Sequence, residues 1–327
     1  MAATEDSKPM IKENVQTLLF ASLISLIVTA CSMQSLAQSP EANDAAAIYF
    51  RKGIEYQQTN HRAEAIEAFK QAIALRADFS DAFRKLAEVY SGSGQFNEAV
   101  ETIQKLINID PNEADSYKNL GIALLYLGKQ KEAIIAFEQV VKLKPGDAAA
   151  YERLALAYHQ AGRYGIKEIN ALEQLVSLRP EDATSAYKLG DAYSQSGRYG
   201  EAVGSFQQAI RLEPDNEDAY QGIAFAYTGL GQHQKAIDAL KKALEIKPDQ
   251  PATYFRLGLS SLLLHQYDEA IENLEKAVKL DPKNARDHFA LGAAYDQHGE
   301  KQKAMKEYEI LKTLNPDLAS EFLKKMN

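Results

Sequence analysis

Residues 217–250 read EDAYQGIAFAYTGLGQHQKAIDALKKALEIKPDQ, and this 34-residue unit decides the fold. Its apolar residues recur three and four positions apart, which is the period of an α-helix, over two stretches separated by Gly231-Gln232. A glycine at such a corner serves as the left-handed residue that ends a helix. Pro248 closes the second stretch because proline cannot continue a helix. The unit therefore predicts two helices joined by a tight corner.

The same unit recurs along the chain. Prolines that close successive units are 34 or 35 residues apart, at Pro111, Pro145, Pro180, Pro214, Pro248, Pro282 and Pro316. Counting back from each proline gives eight units, at 46–79, 80–113, 114–147, 148–182, 183–216, 217–250, 251–284 and 285–316. The first unit carries Ala77 in place of the proline.

Small residues recur at two positions of the unit. Position 8 is glycine or alanine throughout, and position 20 is alanine in every unit except the fourth. Positions 4, 7, 11 and 24 are mostly apolar, and we expect them to face the core between the paired helices. We expect the small residues to let the two helices approach closely, since a larger side chain would overpack the contact.

This pattern resembles the tetratricopeptide-repeat (TPR) family over about 270 residues. The resemblance implies an all-α fold, an α-solenoid in which eight helix–turn–helix units form a right-handed superhelix. One unit cannot bury its apolar face alone, so the units stack. Residues 317–327 are expected to form a capping helix in which Leu318 and Phe322 cover the last unit.

The fourth unit departs from the pattern between Arg163 and Glu168. It holds one residue too many there, and Glu168 stands where the other units have alanine. One interpretation is a lengthened corner, which solenoids tolerate. The other is a local change of superhelix pitch at a binding site.

The TPR resemblance also implies where a partner binds. In that family the first helix of each unit lines the concave surface, with positions 2, 5, 9 and 12 pointing into it. We therefore expect a partner protein or peptide to contact Phe50, Ile54, Arg84, Lys118, Tyr187, Gln221, Phe225, Phe255, Leu259 and Phe289. Aromatic residues exposed on such a surface are typical of a partner site. A carboxylate clamp is not supported, because Ile122 replaces its asparagine beside Lys118.

The sequence carries no motif of catalysis. There is no GxSxG, HExxH or P-loop, and the six histidines are scattered without metal-ligand spacing. A net charge of −8 argues against nucleic acid as a partner, because phosphate binding needs clustered Lys and Arg. A single cysteine excludes a disulfide within the chain. We expect no enzymatic activity, cofactor, metal or small-molecule substrate.

The first residues predict export. Residues 18–30 read LLFASLISLIVTA, which is uncharged, too short to span a bilayer and of the length of a signal-peptide core. Val28-Thr29-Ala30-Cys31 resembles the bacterial lipobox, which predicts a signal peptide over 1–31, cleavage before Cys31, lipid attachment at Cys31 and a linker over 32–45. Ser32 lacks the aspartate of inner-membrane retention, so an outer-membrane lipoprotein facing the periplasm is expected.

An alternative cut after Ala37 would discard Cys31 and release a soluble periplasmic protein. Translation starts at Met1 or Met10. The function expected on these grounds is a non-catalytic interaction scaffold of the bacterial cell envelope, which holds an extended peptide or helix of a partner in its groove. The alternative is an accessory or targeting subunit of a separate enzyme, for example a glycosyltransferase with a TPR arm.

Overall fold

A computed structural model describes residues 39–162 and 165–326. These residues form seventeen α-helices and no β-strand, arranged as a helical-repeat solenoid, which confirms the all-α prediction. The signal peptide, Cys31 and the cut after Ala37 lie outside the described residues, as do residues 163, 164 and 327. No described helix combines the length and the apolar character needed to cross a membrane.

The chain divides into two compact units at Pro145–Gly146. The first unit holds six helices: α1 Pro40–Gln58, α2 Arg62–Leu75, α3 Ser80–Gly92, α4 Phe96–Ile109, α5 Ala114–Tyr126 and α6 Gln130–Leu143. Each helix packs on the next, and α1 also packs on α3.

The second unit holds the remaining described helices: α7 Ala148–Gln160, α8 Ile166–Leu178, α9 Ala183–Gln195, α10 Tyr199–Leu212, α11 Glu217–Gly229, α12 His233–Ile246, α13 Pro251–Leu263, α14 Tyr267–Leu280, α15 Ala285–Gln297, α16 Lys301–Leu314 and α17 Pro316–Met326. Successive helices again pack on each other, and α9 also packs on α11, α13 on α15 and α15 on α17.

Side-chain size is matched across each hairpin. A Cβ added to Gly121 would lie 2.7 Å from the ring of Phe137, so the ring occupies the space that a methyl group would need. Gly53 faces Phe69 and Gly190 faces Phe206 in the same way, whereas Gly258 faces Leu274 and Gly292 faces Phe322 of α17. Where position 8 is alanine, position 24 carries the smaller Ile103, Leu172 or Leu240. Every phenylalanine at this place therefore faces a glycine.

The alanines at position 20 lie at the centre of the hairpins. All seven are fully buried, at 0% exposure: Ala65, Ala99, Ala133, Ala202, Ala236, Ala270 and Ala304. The corners before them have the left-handed backbone that the sequence predicts, with φ of 73° at Gly94 and 69° at Gly231. Close helix contact is thus built from small residues on both helices.

Two boundaries differ from the regular pattern. The first helix begins at Pro40, so residues 40–45, predicted as linker, are helical. The reason is local: the Ser39 hydroxyl accepts a hydrogen bond from the amide of Ala42, and proline suits the first helical position. Helix α8 begins at Ile166, directly after Gly165, so the extra residue of the fourth unit precedes the helix.

Helix α17 covers the end of the second unit. Phe322 is buried in a cluster with Leu291 and Leu311, and Leu318 is partly buried against it. The Phe322 ring centroid lies 5.5 Å from that of Phe289. The charged residues of this helix are exposed: Asp317, Glu321, Lys324 and Lys325.

Candidate functional site

Cavities open beside the first helix of several hairpins, at equivalent places. Each is lined by positions 8, 9 and 12 of one first helix, by position 24 of the second helix and by position 9 of the next first helix. The example in the first unit has a volume of about 220 Å³ and is lined by Ala87, Glu88, Ser91, Ile103, Asn119 and Ile122. Positions 9 and 12, expected to face a partner, therefore line open space.

The second unit has an apolar example, which we call the apolar groove. Its volume is about 160 Å³, and its lining residues come from α11, α12 and α13: Ala224, Phe225, Thr228, Leu240, Arg256, Leu259, Ser260 and Leu263. Three large apolar side chains in it are open to solvent, with Phe225 50% exposed, Leu259 37% and Leu263 57%. Such a cluster presents a larger apolar surface than single exposed residues do.

Polar contacts hold the rim of the apolar groove. Arg256 Nη1 donates a hydrogen bond to Gln221 Oε1 at 2.9 Å, and Gln221 Nε2 donates to Thr253 Oγ1 at 3.2 Å. The Phe225 ring stands edge-on to Tyr199, with 6.0 Å between ring centroids. Gln221, predicted as a partner contact, thus positions Arg256 at the rim.

The second unit also has a charged example, which we call the acidic cavity. It lies between α7, α8 and α9 and has a volume of about 240 Å³. Its lining residues are Glu152, Ala155, Leu156, His159, Glu168, Leu172, Leu175, Tyr187, Lys188 and Asp191. Tyr187 is the one residue of the predicted partner set among them, and burial together with the negative charge of Asp191 raises the pKa of its hydroxyl.

Glu168 is the unusual residue of the acidic cavity. It occupies the place of the fully buried alanine and is itself only 4% exposed. Its Oε1 lies 3.1 Å from His159 Nδ1, whereas its Oε2 is buried without a hydrogen-bond partner. Burial raises the pKa of the Glu168 carboxyl, and the contact with His159 opposes that shift.

Predicted contacts in the first unit are engaged with their own chain. The Phe50 ring centroid lies 4.9 Å from that of Phe79, and Ile54 is partly buried against the cluster around Phe69. Arg84 forms ion pairs with Asp81 and Glu113, and Lys118 Nζ lies 2.7 Å from Asp115 Oδ1. The Lys118–Asp115 pair is exposed, and such a pair exchanges readily with other partners because it is worth about 0–1 kcal/mol.

The structure separates the aromatic residues predicted to form one late cluster. Phe225 and Leu259 share the apolar groove. Phe255 and Phe289 are instead partly buried against the core cluster to which Phe322 of α17 belongs, and Lys325 Nζ lies 5.1 Å from the centre of the Phe289 ring. Only the first pair is open enough for a partner to cover.

Several cavity residues were not predicted. Leu263 and Arg256 fall at positions 13 and 6 of their unit, which were not assigned to the partner face. His159 is at position 12, which was assigned to the concave face, and this position is the one sequence signal that could have indicated that His159 lines a cavity. Glu168 was visible in the sequence as a departure from alanine, but its burial beside a cavity depends on how α7 and α9 pack around it.

Comparisons with known proteins agree on the repeat type. One family model described as tetratricopeptide repeat matches residues 58–121 and 194–257, and a second one matches residues 118–165 and 169–216. A third model, described as TPR repeat, matches residues 263–299. The matches leave residues 39–57 and 300–326 uncovered, so the count of eight repeats stays a prediction. A search of proteins of curated function finds no match.

Solved structures share the fold. The structure described as YrrB, a TPR protein with an unusual peptide-binding site, has a TM-score of 0.51 and 22% identity over 58% of this chain and 98% of its own. MamA from Desulfovibrio magneticus has a TM-score of 0.50 and 22% identity over 52% of this chain and 96% of its own. Another MamA structure is 28% identical over 51% of this chain and 91% of its own, with a TM-score of 0.47.

Proposed function

This chain is a tetratricopeptide-repeat protein, and we propose that it is a non-catalytic scaffold that binds an extended peptide or a helix of a partner protein. TPR folds of this type are interaction scaffolds, which bind protein or peptide partners.

The apolar groove carries the proposal. Phe225, Leu259 and Leu263 are exposed side by side, although a soluble chain gains by burying such residues. Arg256 stands at the rim, held by Gln221. An aromatic anchor in an apolar pocket with a polar rim is the arrangement that gives most of the binding energy in protein interfaces.

An elongated ligand fits the way in which the cavities recur. The acidic cavity and the apolar groove occupy equivalent places in the second unit, two repeats apart. A compact small molecule would fill one of them, whereas a peptide segment or helix can place successive side chains along the repeats. Peptide binding is the property named for YrrB, and we carry over only that class of ligand.

A capture experiment tests the groove. The purified chain is immobilised and exposed to a cell-envelope extract, as wild type and as the triple variant Phe225→Ala, Leu259→Ala and Leu263→Ala. We expect at least one protein captured by the wild type to be lost with the variant, because each truncation removes exposed apolar contact area. The same captured proteins in both samples would refute the proposal.

A matched control removes three exposed leucines outside both cavities. The residues are Leu178, Leu230 and Leu280, which are 40%, 42% and 40% exposed and also lie in the second unit. Their triple alanine variant should retain every captured protein. Loss in both variants would indicate a general effect of reduced surface hydrophobicity and would count against a specific groove.

We also propose that the chain is exported and tethered to the outer membrane through a lipid on Cys31, facing the periplasm. The support is the lipobox-like Val28-Thr29-Ala30-Cys31 at the end of an uncharged apolar stretch. Metabolic labelling with a palmitate analogue should mark the wild type and not Cys31→Ser. Equal labelling of both, or a mature chain that begins after Ala37, would exclude the lipid anchor.

A further inference from the structure

We propose that the acidic cavity binds one cationic side chain, a lysine ammonium or an arginine guanidinium, of the partner protein. The inference deepens the proposed function and rests on it for the source of that side chain. It concerns the walls that α7, α8 and α9 form within the second unit.

The first observation is that a carboxylate, that of Glu168, occupies a position at which the other repeats carry the methyl group of an alanine. Glu168 replaces an alanine that is fully buried in the seven other repeats, and the larger glutamate is buried as well, with only 4% of its surface exposed. Transfer of a carboxylate from water into such a place is unfavourable unless the charge is paired. Packing alone therefore does not account for a glutamate here.

The second observation is that Glu168 is only half satisfied. His159 Nδ1 lies 3.1 Å from Oε1, while Oε2 is buried without a partner. A buried acceptor left unpaired costs about 1–3 kcal/mol, and more when it is charged. The last torsion of a glutamate is broad, so the carboxylate can turn Oε2 toward the cavity that it lines. A donor entering the cavity would complete its pairing.

The third observation is the distribution of charge and apolar surface in the cavity. Glu152 is already shared between Arg179 Nη1 at 3.3 Å and Lys188 Nζ at 3.6 Å. Asp191 and Glu168 supply the other two carboxylates of the lining, and the charge of Asp191 acts on Glu168. Two acids close together favour a cation between them.

The apolar part of the lining suits the stem of a long cationic side chain. Ala155, Leu156, Leu172, Leu175 and the ring of Tyr187 line the same cavity, whose volume is about 240 Å³. Lysine and arginine bury their methylene stems along such surfaces while the charged end reaches polar groups. A neutral apolar side chain would leave Glu168 Oε2 unpaired.

Small probes test the cavity without knowledge of the partner. Butylammonium and butylguanidinium chloride are titrated into the full chain carrying ¹³C-methyl leucine, with 1-butanol as the neutral probe. We expect the cations to shift the methyl signals of Leu172 and Leu175 and 1-butanol not to do so. No shift with either cation, or an equal shift with 1-butanol, overturns the inference.

Variants show whether Glu168 is responsible. Glu168→Gln keeps the shape and removes the charge, and Glu168→Ala restores the residue that the other repeats carry, so we expect at least one of the two to fold. Both should bind the cations at least tenfold more weakly. Glu98→Gln removes an exposed charge from the first turn of α4 and should bind as the wild type does. Equal affinity of the Glu168 variants and the wild type overturns the inference.

One further variant tests whether a cationic side chain of the same protein, and not of a partner, occupies the acidic cavity. Arg163 precedes α8 in sequence and lies outside the described residues. If the cations bind only to Arg163→Ala and not to the wild type, the chain supplies its own cation and the inference fails. Binding to the wild type supports it.

A displayed library of random peptides separates this inference from the proposed function. Wild type should select peptides with Lys or Arg at one position, and Glu168→Gln should lose that preference while still selecting peptides. Selection without any cationic preference overturns the cavity inference and leaves the scaffold function standing. Cation binding with no peptide or protein captured overturns the assignment of the cation to a protein partner.

Discussion

Replacing Phe322 with alanine tests whether α17 is held on the second unit by one buried side chain. Phe322 is 1% exposed and packs edge-on against Phe289 at 5.5 Å between ring centroids. A Cβ added to Gly292 would lie 2.8 Å from the same ring, so the glycine makes room for it. The ring is therefore enclosed on the side of α15.

Two estimates of the effect agree. Burying a phenylalanine removes about 150–250 Å² from water, which at about 25 cal/mol per Å² corresponds to about 4–6 kcal/mol. Phenylalanine-to-alanine changes in protein cores cost about 3–5 kcal/mol. Because an end helix of a repeat stack contacts only its neighbours, we expect the loss to appear as undocking of α17 rather than unfolding of the whole unit.

Hydrogen exchange of the amides of residues 316–326 measures this directly. A tenfold change in protection corresponds to about 1.4 kcal/mol, so protection in α17 should fall about a hundredfold or more in Phe322→Ala. Lys324→Ala changes an exposed residue of the same helix and should leave protection unchanged. If Phe322→Ala also leaves it unchanged, α17 is not anchored through this ring.

Three further sets of substitutions give separate tests, each by urea unfolding. Asp287 is 1% exposed with Oδ2 unpartnered, and burial raises its pKa to about 6 from 3.8. The folded state favours the protonated form of Asp287. The stability that this form contributes is therefore present below about pH 3.8 and is lost as the pH rises through about 6. The full shift corresponds to about 3 kcal/mol, and after solvent screening we expect Asp287→Asn to gain about 1–2 kcal/mol at pH 7.5 and almost nothing near pH 4; a pH-independent difference would contradict this. Ala202→Glu places a carboxylate at the fully buried site that corresponds to Glu168 and should cost about 3–5 kcal/mol, whereas Glu168→Ala should cost less than about 1 kcal/mol. A gain of about 3–5 kcal/mol in Glu168→Ala, equal and opposite to the cost of Ala202→Glu, would show that the fourth repeat is not adapted to its glutamate. Gly121→Ala should destabilise by about 1 kcal/mol through contact with Phe137, and adding Phe137→Leu should relieve that contact, giving a coupling energy above about 0.5 kcal/mol in a double-mutant cycle; additive effects would refute the size matching.

The helix hairpins could be predicted from the sequence because their determinants are local and periodic. Apolar spacing assigns each residue to a helix face, and proline and glycine end the helices through their own backbone preferences. The alanines of position 20 fall in the core because close helix contact admits only a small side chain there. The first unit was predicted to begin at residue 46, whereas α1 begins at Pro40. Ser39 and Pro40, which cap this helix, lie outside the 34-residue pattern, so the repeat did not indicate them.

The binding surface was decided by tertiary packing, because a helix face alone does not say what covers it. Phe225 and Phe289 occupy the same predicted face, yet Phe225 is open in the apolar groove while Phe289 packs beneath α17. Glu168 was marked in the sequence as a misfit, but the contact with His159, the unpaired Oε2 and the adjoining cavity exist only once α7, α8 and α9 are packed together. Periodicity determines which way a side chain points, and only the neighbouring helices determine whether it meets protein or solvent.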